Sequence, residues 1–321
     1  MASPKPTVAP IAAPNPDDPQ TRTVDRLKWR GGLDISHPDK RWGGLSGLDI
    51  SPDGRRLLAV TDRGSWVAAT LTYRNGNLTG IEDITIHSIR RPDGRPARGG
   101  YSDAEALAPD GKGGFFVGYE RMHRIWHYRS LGSGDFREQP SVLGAPPGAA
   151  GLPRNGGIEG MARLCDGRLL VLSEKARVGD DAVRAWVVDG RAWAPRAYAT
   201  TGSFHPTGAV TLPDCSVLVL ERSFSIASGV RARIALLPEK SFAQEGVLRS
   251  EEIAQLVPPV VVDNMEGIAV RHGPAGETLI YIVSDDNFSA LQRTLLMMFE
   301  LLPARRPRQP ARATRSRASA G

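Results

Sequence analysis

Hydrophobic positions in this chain come in short blocks, and the blocks repeat. Five stretches follow one plan: a brief apolar run, a turn built on Asp or Gly, and a longer apolar run ending on a carboxylate. They are LSGLDISPDGRRLLAVTDRG (45–64), DAEALAPDGKGGFFVGYER (103–121), IEGMARLCDGRLLVLSEK (158–175), PTGAVTLPDCSVLVLER (206–222) and MEGIAVRHGPAGETLIYIVSDD (265–286). Short apolar runs bounded by turn residues read as buried strands. SPDG (51–54) and APDG (108–111) have turn chemistry: Pro presets φ, Asp bonds its own backbone and Gly takes the positive φ. The first unit continues with WVAATLTYR (66–74) and LTGIEDITIHSIR (78–90), the third with AVRAWVVDG (182–190) and RAWAPRAYAT (191–200). Four strands per unit, repeating every roughly 50–60 residues, is the pattern of a propeller blade. The fold class expected is all-β, a β-propeller of four-stranded blades. The alternating helical periods of a Rossmann fold or TIM barrel are missing.

The blade count follows from the ends. The last unit supplies three strands, the third being TLLMMFELL (294–302). VDRLKWRGGLDI (24–35) precedes the first unit and provides the missing fourth strand, closing the ring without an open sheet edge. Five blades result; a sixth would have to lie in the connections after Glu120 or Glu239. The domain reading is a disordered segment over 1–22, one propeller over 23–302 and a disordered Arg-rich tail over 303–321.

Composition adds little to this pattern, and charge mostly removes alternatives. The 321 residues are 40% hydrophobic and 24% charged, with 35 Gly and 25 Pro, a turn-rich makeup. The formal charge of +6 belongs to the tail, where residues 303–321 hold six arginines and no acid. The body is neutral, so no nucleic-acid partner is expected for it. No run is long and apolar enough for a signal peptide or a transmembrane segment, and a monomer is expected.

The repeat also places the candidate chemistry. In a propeller the innermost strand of each blade borders the central channel. Just before that strand the five units carry Ser46, Glu105 (near Asp103), Glu159, Thr207 and Glu266. Gly47, Gly160, Gly208 and Gly267 follow, allowing close backbone approach where blades crowd. Carboxylates converging on an axis need a cation, and an oxygen-only set suits Ca²⁺ or Mg²⁺ over zinc or copper. The six histidines are scattered.

A second ring stands at the end of each second strand: Asp62-Arg63, Glu120-Arg121, Glu174-Lys175, Glu221-Arg222 and Asp285-Asp286. Its arginines either tie neighbouring blades together or grip an anionic substrate through bidentate contacts. Asn264, Asn287 and Ser289 either cap strand ends or complete a cation's shell. The assignment is Ca²⁺ on Asp62, Glu159, Glu266, Asp285 and Asp286; catalysis by Glu105, as general base, and Glu159; and substrate contacts from Arg63, Arg121 and Arg222. No GxSxG elbow, P-loop or HExxH occurs. Cys165 and Cys215 fall in corresponding turns of adjacent units. They form either a disulfide, implying an oxidising compartment, or two separate buried thiols.

DNMEGIAV (263–270), YIVSDDNFS (281–289) and QRTLLMMFEL (292–301), with SGLDISPDG, TDRG, IEGMA and LVLERSF, resemble the bacterial phytase-like family described as "esterase-like activity of phytase". The resemblance spans roughly 40–302 and maps onto Glu105, Glu159, Glu266, Asp62, Glu221, Asp285 and Asp286; Ser46 and Thr207 depart from its acidic pattern. It implies a propeller, export to the periplasm or beyond, and hydrolysis of a phosphate ester or other small anionic ester. Two other readings stand beside it: a gluconolactonase-like lactone hydrolase around one divalent ion, and a propeller that binds a ligand or protein without catalysis.

Overall fold

The structure is a computed structural model describing residues 5–131 and 134–304. Its strands form five sheets. Blade one is Leu45–Ile50, Arg56–Thr61, Ser65–Arg74 and Asn77–Ser88. Blade two is Ala104–Pro109, Phe115–Tyr119, Arg124–Tyr128 and Ser141–Gly144. Blade three begins with Ile158–Arg163, Leu169–Arg177, Ala182–Asp189 and Ala192–Ala199, and blade four is His205–Thr211, Val217–Ser225, Gly229–Leu237 and Glu251–Leu256. Blade five is Met265–His272, Thr278–Ser284, Thr294–Leu301 and the N-terminal strand Leu27–Ser36. The first strands of the five blades contact one another in order around a ring, blade five returning to blade one.

The propeller reading and the closure by residues 24–35 are therefore observed, with five blades. The connection after Glu120 holds the third and fourth strands of blade two rather than a further blade. The one after Glu239 holds a 3₁₀ turn, the two-residue strand Val247–Leu248, which pairs in parallel with Ala192–Ala199, and the fourth strand of blade four.

Burial explains why the strands read as continuous apolar runs. Each of five hydrophobic clusters fills the gap between two adjacent blades. In the second strand of blade five, Leu279, Tyr281 and Val283 pack toward blade one, while Ile280 and Ile282 pack toward blade four. Alternation with both faces buried leaves no polar face to mark the period.

One expectation is corrected at the N-terminus. Thr7–Ile11 lies within the segment read as disordered, yet it pairs antiparallel with Leu27–Ser36 as an outer edge strand. Val8 and Ile11 pack on the clusters flanking blade five. Pro10 is tolerated because an edge strand need not donate on its free side; proline richness hid the strand in the sequence. All but the first two residues of the Arg-rich tail lie outside the described residues.

The turns carrying Cys165 and Cys215 lie on the face opposite the mouth described below, and a disulfide joins them, with Cα atoms 5.6 Å apart. It ties blade three to blade four. No helix among the described residues is long and apolar enough to cross a membrane.

Candidate functional site: an acidic channel mouth

Each blade aims its site residue by the same backbone device. Antiparallel pairing between first and second strands slips at Leu45/Leu48, Ala104/Ala106, Ile158/Gly160, Pro206/Gly208 and Met265/Gly267. The residues inside these bulges include Ser46, Glu105, Glu159, Thr207 and Glu266. A bulge adds an unpaired residue and redirects its side chain. Here it forms an inner ring at one mouth of the channel. The following glycines are required by crowding. A Cβ on Gly267 would lie 2.1 Å from the Ser46 carbonyl oxygen, and one on Gly47 would lie 2.5 Å from the Leu107 amide nitrogen. Below the ring the channel is nearly filled by Leu48, Leu107, Met161 and Ile268. The site is a cup, not a pore.

The strand registers define the outer ring. Thr61, Tyr119, Ser173, Glu221 and Ser284 occupy equivalent paired positions. The next residues are Asp62, Glu120, Glu174, Arg222 and Asp285. The sequence alignment of Glu221-Arg222 with the other acid–base pairs was thus one residue out in blade four. A one-residue shift in a strand moves a side chain to the other face. Glu221 is fully buried away from the mouth, paired with Arg233 and accepting a hydrogen bond from Tyr198 at 2.7 Å. Blade four instead presents Thr207 and Arg222, with no acid.

The resulting cavity holds about 220 Å³ and is lined by Asp62, Asp103, Glu105, Glu120, Glu159, Glu174, Glu266 and Asp285, with Arg121, Lys175, Arg222, Asn155 and Asn287. Around blade four the charges are paired. Arg222 reaches Glu174 at 2.8 Å and Glu266 at 2.9 Å, and donates to Asn264. Lys175 lies 2.7 Å from Glu174. Burial would raise the Glu174 carboxyl, but Arg222 and Lys175 together hold it below the usual range. Glu266 is pushed up to about 8, chiefly by burial and against the pull of Arg222.

Across the cup the acids face one another. Ligand oxygens of Asp103, Glu105 and Glu120 all lie within 4.8 Å of one another. Glu120 accepts the amides of Gly156 and Gly157, the latter at 2.5 Å. Ser46 donates to Glu105 at 2.7 Å, and Arg121 lies 2.6 Å from Asp103. Burial, then Glu120 and Asp103, holds Glu105 well above the carboxylate range. Burial raises Asp103 to about 6, with Arg121 opposing. Asp62 reaches about 7 through burial and the neighbouring Asp285 and Asp103. Glu159, between the two sides, is raised well above the ordinary range by burial, then by Glu120 and Glu105. One oxygen each of Asp62 and Glu266 is buried without a hydrogen-bond partner.

Of the residues expected at the site, Asp62, Glu105, Glu159, Glu266, Asp285, Arg121 and Arg222 line this cavity. Asp286 does not. Its carboxylate accepts the amides of Gly44 and Phe288 and the hydroxyl of Thr294, so it braces the turn from outside the cup. The turn alternates: Asp285 and Asn287 face the cup, while Asp286 and Phe288 line a neighbouring depression. Arg63 is also absent from the lining and lies over the Phe288 ring. Arg222 is present but committed to blade-to-blade ion pairs. The tightest cluster draws on Asp103 and Glu120, which the sequence reading noted in the repeat without assigning them a role. Spacing held the clue, since both belong to the same repeat unit as Glu105.

The set fits a hard divalent cation: every donor is oxygen, three converge, and nearby buried oxygens lack partners. Residues 40–288 match the phytase-like family model described as "esterase-like activity of phytase", and the chain belongs to that family. None of the curated proteins matches the sequence. Among solved structures, a gluconolactonase from Xanthomonas campestris has 13% identity and a TM-score of 0.45, covering 85% of this chain and 78% of that one. A PQQ-bound aldose sugar dehydrogenase from Streptomyces coelicolor has 11% identity and a TM-score of 0.40, covering 94% and 99%.

Proposed function

We propose that this chain is a cation-dependent hydrolase of small anionic esters, phosphate esters foremost, working at the acidic mouth. One observation carries the reading: the convergence of Asp103, Glu105 and Glu120 within 4.8 Å at the mouth of the cup. These three residues would hold Ca²⁺, or another hard divalent ion. When bound, such an ion supplies Lewis acidity toward an ester or phosphoryl oxygen. The protein's own groups divide the remaining work. Arg121 and Lys175, 44% and 52% exposed, draw an anionic substrate to the rim. Asp62, with its carboxyl near 7, is suited to take a proton at neutral pH. Glu159, its carboxyl raised well above the ordinary range by burial, is suited to give one to a leaving group. The Cys165–Cys215 disulfide supports an oxidising location, periplasmic or extracellular.

The test is release of phosphate from phytate and an aryl phosphate, with an aryl acetate beside them, in calcium and then in EDTA. Calcium-dependent turnover that disappears in Glu105→Gln and Asp103→Asn is the expected result. No turnover on any ester in calcium would leave a propeller that binds without catalysis.

A further inference from the structure

The mouth face differs from the rest of the surface in a way the hydrolase reading does not use. In each blade the first strand runs away from the mouth and the second returns; the third leaves and the fourth returns. Connections from second to third strand, and from fourth strand to the next blade, therefore all emerge at the mouth. Among the described residues the exposed large hydrophobics are Met122, Val142, Val178, Phe224, Ile226, Val247 and Leu291. Val142 and Val247 lie on outer strands. The other five stand on or beside mouth-face connections of four different blades, and none is on a connection of the opposite face. Ile226 is 99% exposed, Leu291 94% and Phe224 67%. Side chains so bare have no part in the fold, and grouped around one opening they mark a contact surface.

The charges between them share the asymmetry. The site acids are recessed in the cup. On the mouth-face connections the exposed acids are Asp93, Asp180 and Asp181, whereas Arg63, Arg121, Arg154, Lys175, Arg177 and Arg293 are exposed around the opening. Connections on the opposite face carry exposed acids and bases alike, such as Asp53, Asp166 and Glu239 with Arg55, Lys112 and Lys240.

We propose that the mouth face docks on an anionic lipid bilayer. The apolar tips, one or two on each of four blades, stand around a polar opening. They make no continuous apolar patch of the kind at the centre of a stable protein interface. A fluid surface accepts such tips, and exposed bases between them complement anionic headgroups. Docking would bring the acidic cup up to esters held at the bilayer surface. The inference stands independently of whether the cup is catalytic.

The test is co-sedimentation with phosphatidylcholine vesicles with and without phosphatidylglycerol, in buffer without added calcium. Wild-type protein and Glu105→Gln both bind the phosphatidylglycerol vesicles, and salt weakens the binding. Phe224→Ser/Ile226→Ser/Leu291→Ser weakens it about tenfold or more, and Arg154→Gln/Arg177→Gln about fivefold or more. Ile226→Ser alone, at a position 99% exposed, gives a smaller loss with an unchanged melting temperature. Failure of the wild type to sediment with phosphatidylglycerol vesicles overturns the proposal. So does a triple variant that binds undiminished, or a wild-type dimer in light scattering that the triple variant abolishes, which would assign the tips to a second copy of the chain.

Discussion

On the blade-four side of the mouth, Arg222 stands among Glu174, Glu266 and Asn264. On the side of blades one and two, Asp62, Asp103, Glu105 and Glu120 gather with Arg121 half-exposed at the rim. Both sides are built from the same two repeat positions. Blade four replaces both acids, with Thr207 and Arg222, and so supplies a fixed positive charge that binds its neighbours together. Blades one and two crowd their acids together around a single rim ion pair, Asp103 with Arg121, so that the acids press on one another. Fixed charge makes structure; crowded acids make a site for something brought from outside. The difference lies in a few side chains on an otherwise repeated backbone.

The largest expected effect breaks the structural side. Arg222→Met leaves Glu266 buried without its cation and Glu174 with Lys175 alone, at a cost of about 3–5 kcal/mol. Urea unfolding of the metal-free protein measures this. A loss below about 1 kcal/mol would mean that these pairs are solvated and that the contrast between the two sides is false.

Next is the effect of the ion. Calcium raises the melting temperature, by the equivalent of about 2.7 kcal/mol when present at a hundredfold its dissociation constant. Asp103→Asn and Glu105→Gln remove the rise. Glu174→Gln, on the other side, retains it. A rise lost equally in all three would place the ion at the centre of the cup.

How far these assignments could be read in advance follows from the same repeat. The blades were legible because the apolar runs and Pro-Asp-Gly turns are local signals. The inner ring was legible because acid-Gly recurs at one offset. The bulges were not, since a bulge is a relation between two strands and leaves no mark on either alone. The outer ring failed in blade four for a related reason: Glu221-Arg222 reads like Glu120-Arg121, and only the partner strand shows which of the two faces the mouth. Asp286 was misplaced because the chain turns at Asn287 and Phe288, with φ of 47° and 51°, and Asp286 lies on the other side of that turn from Asp285; Arg63 lies over the ring of Phe288. Left-handed residues other than glycine are not announced by the sequence.

The third prediction concerns pH. Asp103 and Asp285 sit near 6, Asp62 near 7 and Glu266 near 8, all above the ordinary carboxylate values. A raised folded-state value means the folded chain holds protons that the unfolded chain releases. Stability of the metal-free protein therefore falls as pH rises from about 4 to 8, by about 2 kcal/mol after allowing for solvent at the rim. Calcium flattens the fall, since binding favours deprotonated ligands. Chemical denaturation at several pH values, with and without calcium, shows whether both slopes follow.

The smallest effect sharpens the boundary between the two sides. Asp62 is half-buried, has one carboxylate oxygen without a partner and is crowded by Asp285 and Asp103. If it is an unpaired group kept for chemistry, Asp62→Asn stabilises the metal-free protein by about 1 kcal/mol at pH 8 and has no effect near pH 4, where the native carboxyl is already neutral. Hydrolysis in the same variant loses its rising limb near pH 7, because the group taking the proton is gone. If Asp62→Asn destabilises at every pH, the carboxylate is a brace for Gly44 and its loop, and the proton acceptor must be sought among the deeper acids.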